Sequence, residues 1–130
     1  MAATATVTKL SDGPRKYSFL VNIEGDGSGE IALSTLIDAS AQGLPEDNST
    51  RIARIKSMMP DDHSATLLWD ATADVLAWVV TGYDTQEFEL SIGGLKNAAG
   101  AGVTGDILIR TDGWGTSNAD GSFVLTLSSS

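Results

Sequence analysis

The sequence predicts an all-β protein, an antiparallel β-sandwich or jelly roll of about eight short strands. Three observations support this fold class: apolar residues alternate with polar ones in short runs, turn-forming residues separate the runs, and almost no stretch has helical periodicity. Short alternating strands joined by closely spaced turns are typical of sandwiches and jelly rolls. The length of 130 residues fits a single sandwich domain over residues 1–130.

The N-terminal elements follow from alternation and residue type. Thr4–Leu10 is rich in Thr and Val and predicts either an edge strand or, together with residues 1–3, an extended N-terminal arm (1–10). Lys16–Glu24 alternates regularly, so we expect a half-buried strand. Glu30–Leu36 predicts the next strand. Its residues Ile31 and Leu33 are expected on one face.

The following segment is less regular. Residues 37–50 predict a loop with a short helical turn before Gly43. Arg51–Met59 satisfies both helical and strand spacing, and we prefer a strand because the run is short and bounded by turn signals. Strict alternation then places two sets of side chains on opposite faces. One set is Ala53, Ile55 and Ser57, and the other is Ile52, Arg54, Lys56 and Met58.

The stretch Leu67–Gly82 predicts the hairpin around which the core is built. Two apolar runs flank a short polar connector, and each run carries one of the three tryptophans, Trp69 and Trp78, which we interpret as core residues. Asp70 and Asp74 flank the connector, where hydrogen bonding within the turn is a more typical role than paired catalysis. The remaining strands are predicted at Gln86–Ile92, Asp106–Thr111 and Ser122–Leu127.

The composition disfavours several classes of function. Eight basic residues against seventeen acidic ones give a net charge of −9, and nucleic-acid binding depends on neutralising phosphates. The chain has no cysteine and therefore no disulfide or zinc–thiolate site. Its N-terminus lacks signal-peptide features, and its longest apolar run is far below the roughly 20 residues of a membrane span. We therefore expect a soluble protein made in a cytoplasm.

Three motifs suggest cofactor, metal or catalytic sites, and each has a simpler explanation. Gly100-Ala-Gly102-Val-Thr-Gly105 matches a dinucleotide fingerprint but precedes a strand rather than a helix, so we expect a loop and no cofactor. The acids at 24–30, and Asp112 with Asp120, favour solvated turns, with a weak calcium site as the alternative. Asp61-Asp62-His63 supplies too few ligands for a metal centre. We predict no catalytic, cofactor or metal residues.

Several side chains are predicted to contact a protein partner. Arg51, Arg54 and Lys56 form a basic run, which fits either an acidic partner surface or a charged strand edge that prevents aggregation. Trp114 lies between glycines in a polar loop, where it either anchors a contact or folds back onto its own domain. The predicted partner-binding residues are Thr4, Thr6, Thr8, Arg51, Arg54, Lys56, Lys96 and Trp114.

Two stretches resemble small virion proteins of tailed bacteriophages: Trp69-Asp-Ala-Thr-Ala-Asp-Val-Leu-Ala-Trp78 and Gly94-Leu-Lys-Asn-Ala-Ala-Gly-Ala-Gly-Val-Thr-Gly-Asp-Ile-Leu-Ile109. The resemblance covers roughly the C-terminal half of the chain. It implies an all-β structural protein without enzymatic activity, assembled into the particle in many copies. The size, acidity and lack of cysteine are similar to those of head decoration (cement) proteins, which bridge capsomers on the outside of the capsid.

The resemblance also implies a location and partners. We expect synthesis in the host cytoplasm and a final position on the head surface of the virion. The expected partners are the major capsid protein and copies of the chain itself, without nucleic acid or membrane, and the oligomeric state stays open. Two alternatives stand beside this hypothesis: a tail, neck or fibre-associated module, and a carbohydrate-binding β-sandwich that uses Trp114.

Overall fold

The computed structural model describes residues 4–12, 16–25, 29–31, 33–44, 49–59, 63–88, 94–98, 100–112, 114 and 120–129. These residues form ten strands and one four-residue helix, which confirms the predicted all-β class. The elements in chain order are β1 (Thr4–Asp12), β2 (Lys16–Glu24), β3 (Ser34–Ile37), α1 (Ala39–Gln42), β4 (Thr50–Met58), β5 (Ser64–Trp69), β6 (Val75–Thr81), β7 (Tyr83–Glu87), β8 (Leu95–Lys96), β9 (Ile107–Asp112) and β10 (Asp120–Ser129).

The strands form two antiparallel sheets with jelly-roll connectivity. The larger sheet has the order β1-β2-β10-β4-β7, with β8 also paired to β4, and the smaller sheet has the order β3-β9-β5-β6. The pairs β2 with β10, β3 with β9, β4 with β7 and β5 with β6 are nested in the chain. This nested arrangement is rolled up so that β10 also pairs with β4 and β9 with β5, which is the jelly-roll pattern.

The two sheets bury one apolar core between them. β2 and β10, which pair with each other in the larger sheet, bury every second side chain. β5 and β9 supply the opposing layer, which includes the fully buried Trp69. Burial of a large apolar side chain contributes about 1.5–3 kcal/mol relative to leaving it exposed. The core residues from these four strands are Tyr17, Phe19, Val21, Ile23, Ala65, Leu67, Trp69, Ile107, Ile109, Phe123, Leu125 and Leu127.

The described part of the N-terminal segment is an edge strand rather than an extended arm. β1 pairs antiparallel with β2 along its length, so its hydrogen bonds on that side are made within its own sheet. Val7 packs partly against the core, and Lys9 Nζ donates a hydrogen bond to the Gln42 carbonyl at 2.9 Å. Of the two alternatives that the sequence left open, the structure therefore shows the edge strand. Residues 1–3 lie outside the described part.

Two predicted strands have different bounds in the structure. The strand expected at Glu30–Leu36 begins only at Ser34. Ile31 makes a single backbone bond to β9, from Thr111 N to its carbonyl at 3.2 Å, while its own N–H donates to the Thr111 side chain, Oγ1, at 2.8 Å. Ile31 is partly buried and Leu33 is exposed, so the two residues do not share a buried face. The later strand, β7, begins before the predicted Gln86 start and ends at Glu87. Residues 89–92, where it was expected to continue, are not described.

β4 is a strand, as predicted, but a β-bulge changes which side chains face the core. The pairing of β4 with β10 shifts register between Arg54 and Ile52, which leaves Ala53 as an extra residue. Strict alternation predicts Ile52 on the face of Arg54, and this is wrong because Ile52 is fully buried. The bulge places Arg51 on the outer face together with Arg54.

The predicted central hairpin is present as β5 and β6, starting at Ser64. Trp69 is buried in the core, as predicted. Trp78 is only half-buried, and its ring meets Phe88 edge-to-face at a centroid distance of 4.9 Å. The β5–β6 pairing contains a bulge at Ala77, which lies between the paired residues Leu76 and Trp78.

The β5–β6 turn rests on the loop that carries the glycine motif. Asp74 Oδ1 accepts from Ala71 N at 3.1 Å, and Asp70 Oδ2 accepts from Thr104 Oγ1 at 2.7 Å. Thr72 N donates to the Ala101 carbonyl at 3.1 Å. Both aspartates thus hold the turn, and the loop leads into β9 rather than into a helix.

Gly102→Ala should lower the free energy of unfolding by about 1–3 kcal/mol, because φ is +80° and a Cβ would collide with Thr72 Oγ1. Gly100→Ala is the matched control, since a Cβ there meets nothing within 4 Å, and its effect should stay within about 0.5 kcal/mol. Urea unfolding measures both variants. Equal stability of the two would contradict this close packing between turn and loop.

Candidate functional site

The outer face of the larger sheet, directed away from the core, carries every predicted partner-binding residue except Trp114. On β1 and β4 these side chains occupy the exposed half of the alternation, and Lys96 is exposed opposite Arg51. The residues brought together in this way are Thr4, Thr6 and Thr8 of β1, Arg51, Arg54 and Lys56 of β4, and Lys96 of β8.

Cross-strand register gathers the positive charges at one end of this face. Arg51 lies opposite Lys96 of β8 on one side and Ser128 of β10 on the other. Ser128 in turn lies opposite Lys16 of β2, so one row across the sheet holds three cations. Directly opposed residues have Cβ atoms about 4.5–5.5 Å apart, so the cations of this row and those further along β4 form one charged surface. We call Lys16, Arg51, Arg54, Lys56 and Lys96 the basic face.

Glu87 lies within the basic face, and it neutralises only part of the charge. Arg54 Nε stands 3.9 Å from Glu87 Oε2, and the two side chains are 54% and 34% exposed. An ion pair this exposed contributes about 0–1 kcal/mol to stability. Glu24 and Asp120, which pair with each other, mark the opposite end of the sheet. Among the described residues of this face, the five cations thus outnumber the single carboxylate of Glu87.

The charge of the protein is thus strongly segregated. The basic face holds five of the eight Lys and Arg residues of a chain with net charge −9. The alternative of a charged edge that prevents aggregation does not fit Arg51, Arg54 and Lys56, because β4 is an interior strand between β10 and β7. A local patch of opposite sign is suited to contact with an acidic surface.

An apolar shoulder adjoins the basic face. Met58 of β4 lies directly opposite Tyr83 of β7, and both side chains are exposed. Together with Lys56 and Thr85 they border an open depression of about 460 Å³. Exposed aromatic side chains beside charges are common anchors in protein interfaces. Sequence reasoning singled out neither Tyr83 nor Lys16, because only the strand pairing places them beside the basic run.

Trp114 is fully buried, which contradicts its predicted role as an exposed anchor. Its backbone N–H donates to Glu30 Oε2 at 2.7 Å, and its indole Nε1 donates to the Ser64 carbonyl at 3.1 Å. The His63 ring packs edge-on against the indole at a centroid distance of 4.7 Å. The residue folds back onto its own domain, so the carbohydrate-binding alternative loses the aromatic on which it was based.

Two acidic motifs can be followed only in part. Glu30 links β9 to Trp114, because it also accepts from Thr111 Oγ1 at 2.9 Å. Asp26, Ser28, Asp61 and Asp62 lie outside the described residues. Within the described ranges, no three His, Cys, Asp or Glu side chains are grouped closely enough to hold a metal ion.

The same ranges contain no helix with the length and hydropathy to cross a bilayer.

Glu30→Ala should lower the free energy of unfolding by about 1–3 kcal/mol for each partner left unsatisfied, because the Trp114 N–H and the Thr111 hydroxyl would lose their acceptor. Glu24→Ala removes the same charge from an exposed position and should change stability by less than about 0.5 kcal/mol. Denaturant midpoints compare the two variants. A wild-type midpoint for Glu30→Ala would show that the carboxylate does not stabilise Trp114 and Thr111 in their positions.

Comparisons with known proteins do not assign this chain to a family. No protein-family model matches it, and no curated protein matches it. Among solved structures, a cupin domain from Bordetella pertussis Tohama I is similar over 100% of this chain and 97% of that chain, with 11% sequence identity and a TM-score of 0.44. The jelly-roll assignment follows from the strand pairing alone.

Proposed function

We propose that the chain is a non-enzymatic structural protein of a phage virion, most specifically a capsid decoration (cement) protein that binds the outer head surface and stabilises the capsid lattice. The basic face is the observation that carries this proposal, since it gives an acidic protein one surface suited to an acidic partner. The stretches Trp69–Trp78 and Gly94–Ile109, which resemble phage virion proteins, support the virion context. The partner is then the major capsid protein.

The sheet presents its charges as a rigid platform. Neighbouring strands lie about 4.8 Å apart, so the rows of cations have fixed spacing and only the side-chain ends adapt. Arg51 and Arg54 can each bind a carboxylate through two parallel hydrogen bonds, whereas Lys56 and Lys96 act as point charges. The exposed shoulder of Met58 and Tyr83 supplies apolar contact area beside them.

Single contacts of this kind are weak, and a capsid compensates by repetition. Exposed charges are screened over about 8–10 Å at physiological ionic strength, so one basic face yields modest affinity. A lattice that presents the same acidic surface many times lets many copies bind, and each copy that spans two capsomers links them. Capsid binding should therefore weaken as the salt concentration increases.

Lys56→Glu and Lys96→Glu, singly and combined, should weaken binding to expanded, undecorated capsids, with at least a tenfold loss for the double variant, about 1.4 kcal/mol. Charge reversal there opposes the acidic partner without touching the core, because both side chains are exposed. Arg54 is left unchanged because of its pairing with Glu87. Co-sedimentation with capsids over a range of protein and salt concentrations measures the affinity.

Arg110→Glu is the matched control. Arg110 is exposed on β9 in the smaller sheet and undergoes the same change of charge as each single variant. It should bind capsids like wild type and raise their resistance to heat to the same extent. An equal loss for Arg110→Glu would assign the effect to net charge rather than to the basic face. A wild-type protein that binds no capsid would contradict the proposal as a whole.

A further inference from the structure

β6 is an edge strand that carries no charged residue and no proline. Among the described residues, β6 pairs in a sheet only with β5, so its other side lacks a strand partner for its backbone N–H and C=O groups. The Thr81 carbonyl at its end accepts from Ser57 Oγ at 3.2 Å. The sequence of β6 is Val-Leu-Ala-Trp-Val-Val-Thr. Such strands readily accept a further strand.

The other three sheet edges carry protective features. β1 contains Lys9 and a register shift, and β3 is only four residues long and also irregular. β7 ends in Glu87. These are the common ways in which natural proteins prevent edge-to-edge pairing. β6 has the bulge at Ala77 but no charge, which leaves it the most receptive edge of the four.

Exposed apolar side chains and two concavities flank β6. Leu76 is 58% and Val79 is 42% exposed on the outer face of the smaller sheet. A depression of about 400 Å³ surrounds the bulge and is lined by Leu76, Ala77, Trp78 and Val79. On the core side, a cleft of about 100 Å³ separates β6 from Ile55 of the larger sheet. A strand added at β6 would thus cover apolar area as well as satisfy backbone groups.

We propose that the strand added at β6 is β6 of a second copy of this chain, in an antiparallel pair about a two-fold axis. Charge favours this contact over a dimer through the basic face. Two copies of net charge −9 repel each other, and a two-fold axis places the same patch on both sides of the interface. A dimer through the basic face would bring like charges together, whereas a dimer through β6 brings two uncharged strands together.

The geometry of β6 is compatible with itself. A pairing centred between Ala77 and Trp78 places Leu76 of one copy beside Val79 of the second copy, and this contact occurs twice. Both side chains lie on the outer face of the smaller sheet, because the bulge at Ala77 separates them. The two smaller sheets then join into one. The basic face lies on the other sheet, so the dimer contact is independent of capsid binding.

Val79→Lys tests the dimer. Wild-type protein should sediment as a dimer at high concentration and dissociate on dilution, and Val79→Lys should weaken dimerisation at least tenfold, because a lysine on an edge strand opposes pairing. The substitution changes the net charge from −9 to −8, which reduces general repulsion between copies. Weaker association of Val79→Lys would therefore result from the lysine on the β6 edge and not from the change in net charge. Analytical ultracentrifugation over a range of concentrations measures the equilibrium.

Leu10→Lys is the matched control, since Leu10 is a 53% exposed apolar residue on the edge strand β1. It should dimerise like wild type. Hydrogen exchange of wild-type protein should also show protection of Val75–Thr81 that increases with concentration. A protein that is monomeric at all concentrations would overturn the proposal. So would a dimer that survives Val79→Lys, or one that leaves the β6 amides unprotected.

Discussion

β10 is paired on both sides, with β2 and with β4, and this double pairing fixes most of the structure. It sets the register of three adjacent strands at once, so Phe123, Leu125 and Leu127 enter the core together. The same register determines the outer rows, in which Ser128 of β10 lies between Lys16 of β2 and Arg51 of β4. The alternation of side chains along these paired strands thus determines both the core and the basic face.

The fold class was predictable because the signals for it are local. β2 and β10 alternate apolar and polar residues so regularly that a one-residue slip would expose every core side chain, and the sequence therefore predicts them well. The bulge at Ala53 was not predictable, because one inserted residue reverses the alternation without any glycine or proline to mark it. It decides where Ile52 and Arg51 point.

The candidate site was predictable only where its residues are close in sequence. Arg51, Arg54 and Lys56 stand out as a basic run, whereas Lys16 joins them only through β10, which the pattern of one strand does not show. For Trp114 the sequence left open whether the ring is an exposed anchor or folds back onto its own domain, and the structure shows that it folds back. Its backbone N–H bonds to Glu30, 84 residues away in sequence, and its indole bonds to Ser64, 50 residues away, so neither contact is visible in the local sequence. Long-range pairing therefore limits prediction of the site.

An electron cryo-microscopy reconstruction of decorated particles tests the role of the basic face most directly. The proposed function predicts density for this chain on the outer head surface, with β4 and β8 facing the major capsid protein and the smaller sheet turned away from the capsid. Acidic side chains of the capsid should lie within hydrogen-bonding distance of Arg51, Lys56 or Lys96. Density at the tail, or a head-bound protein whose basic face points into solvent, would contradict this account.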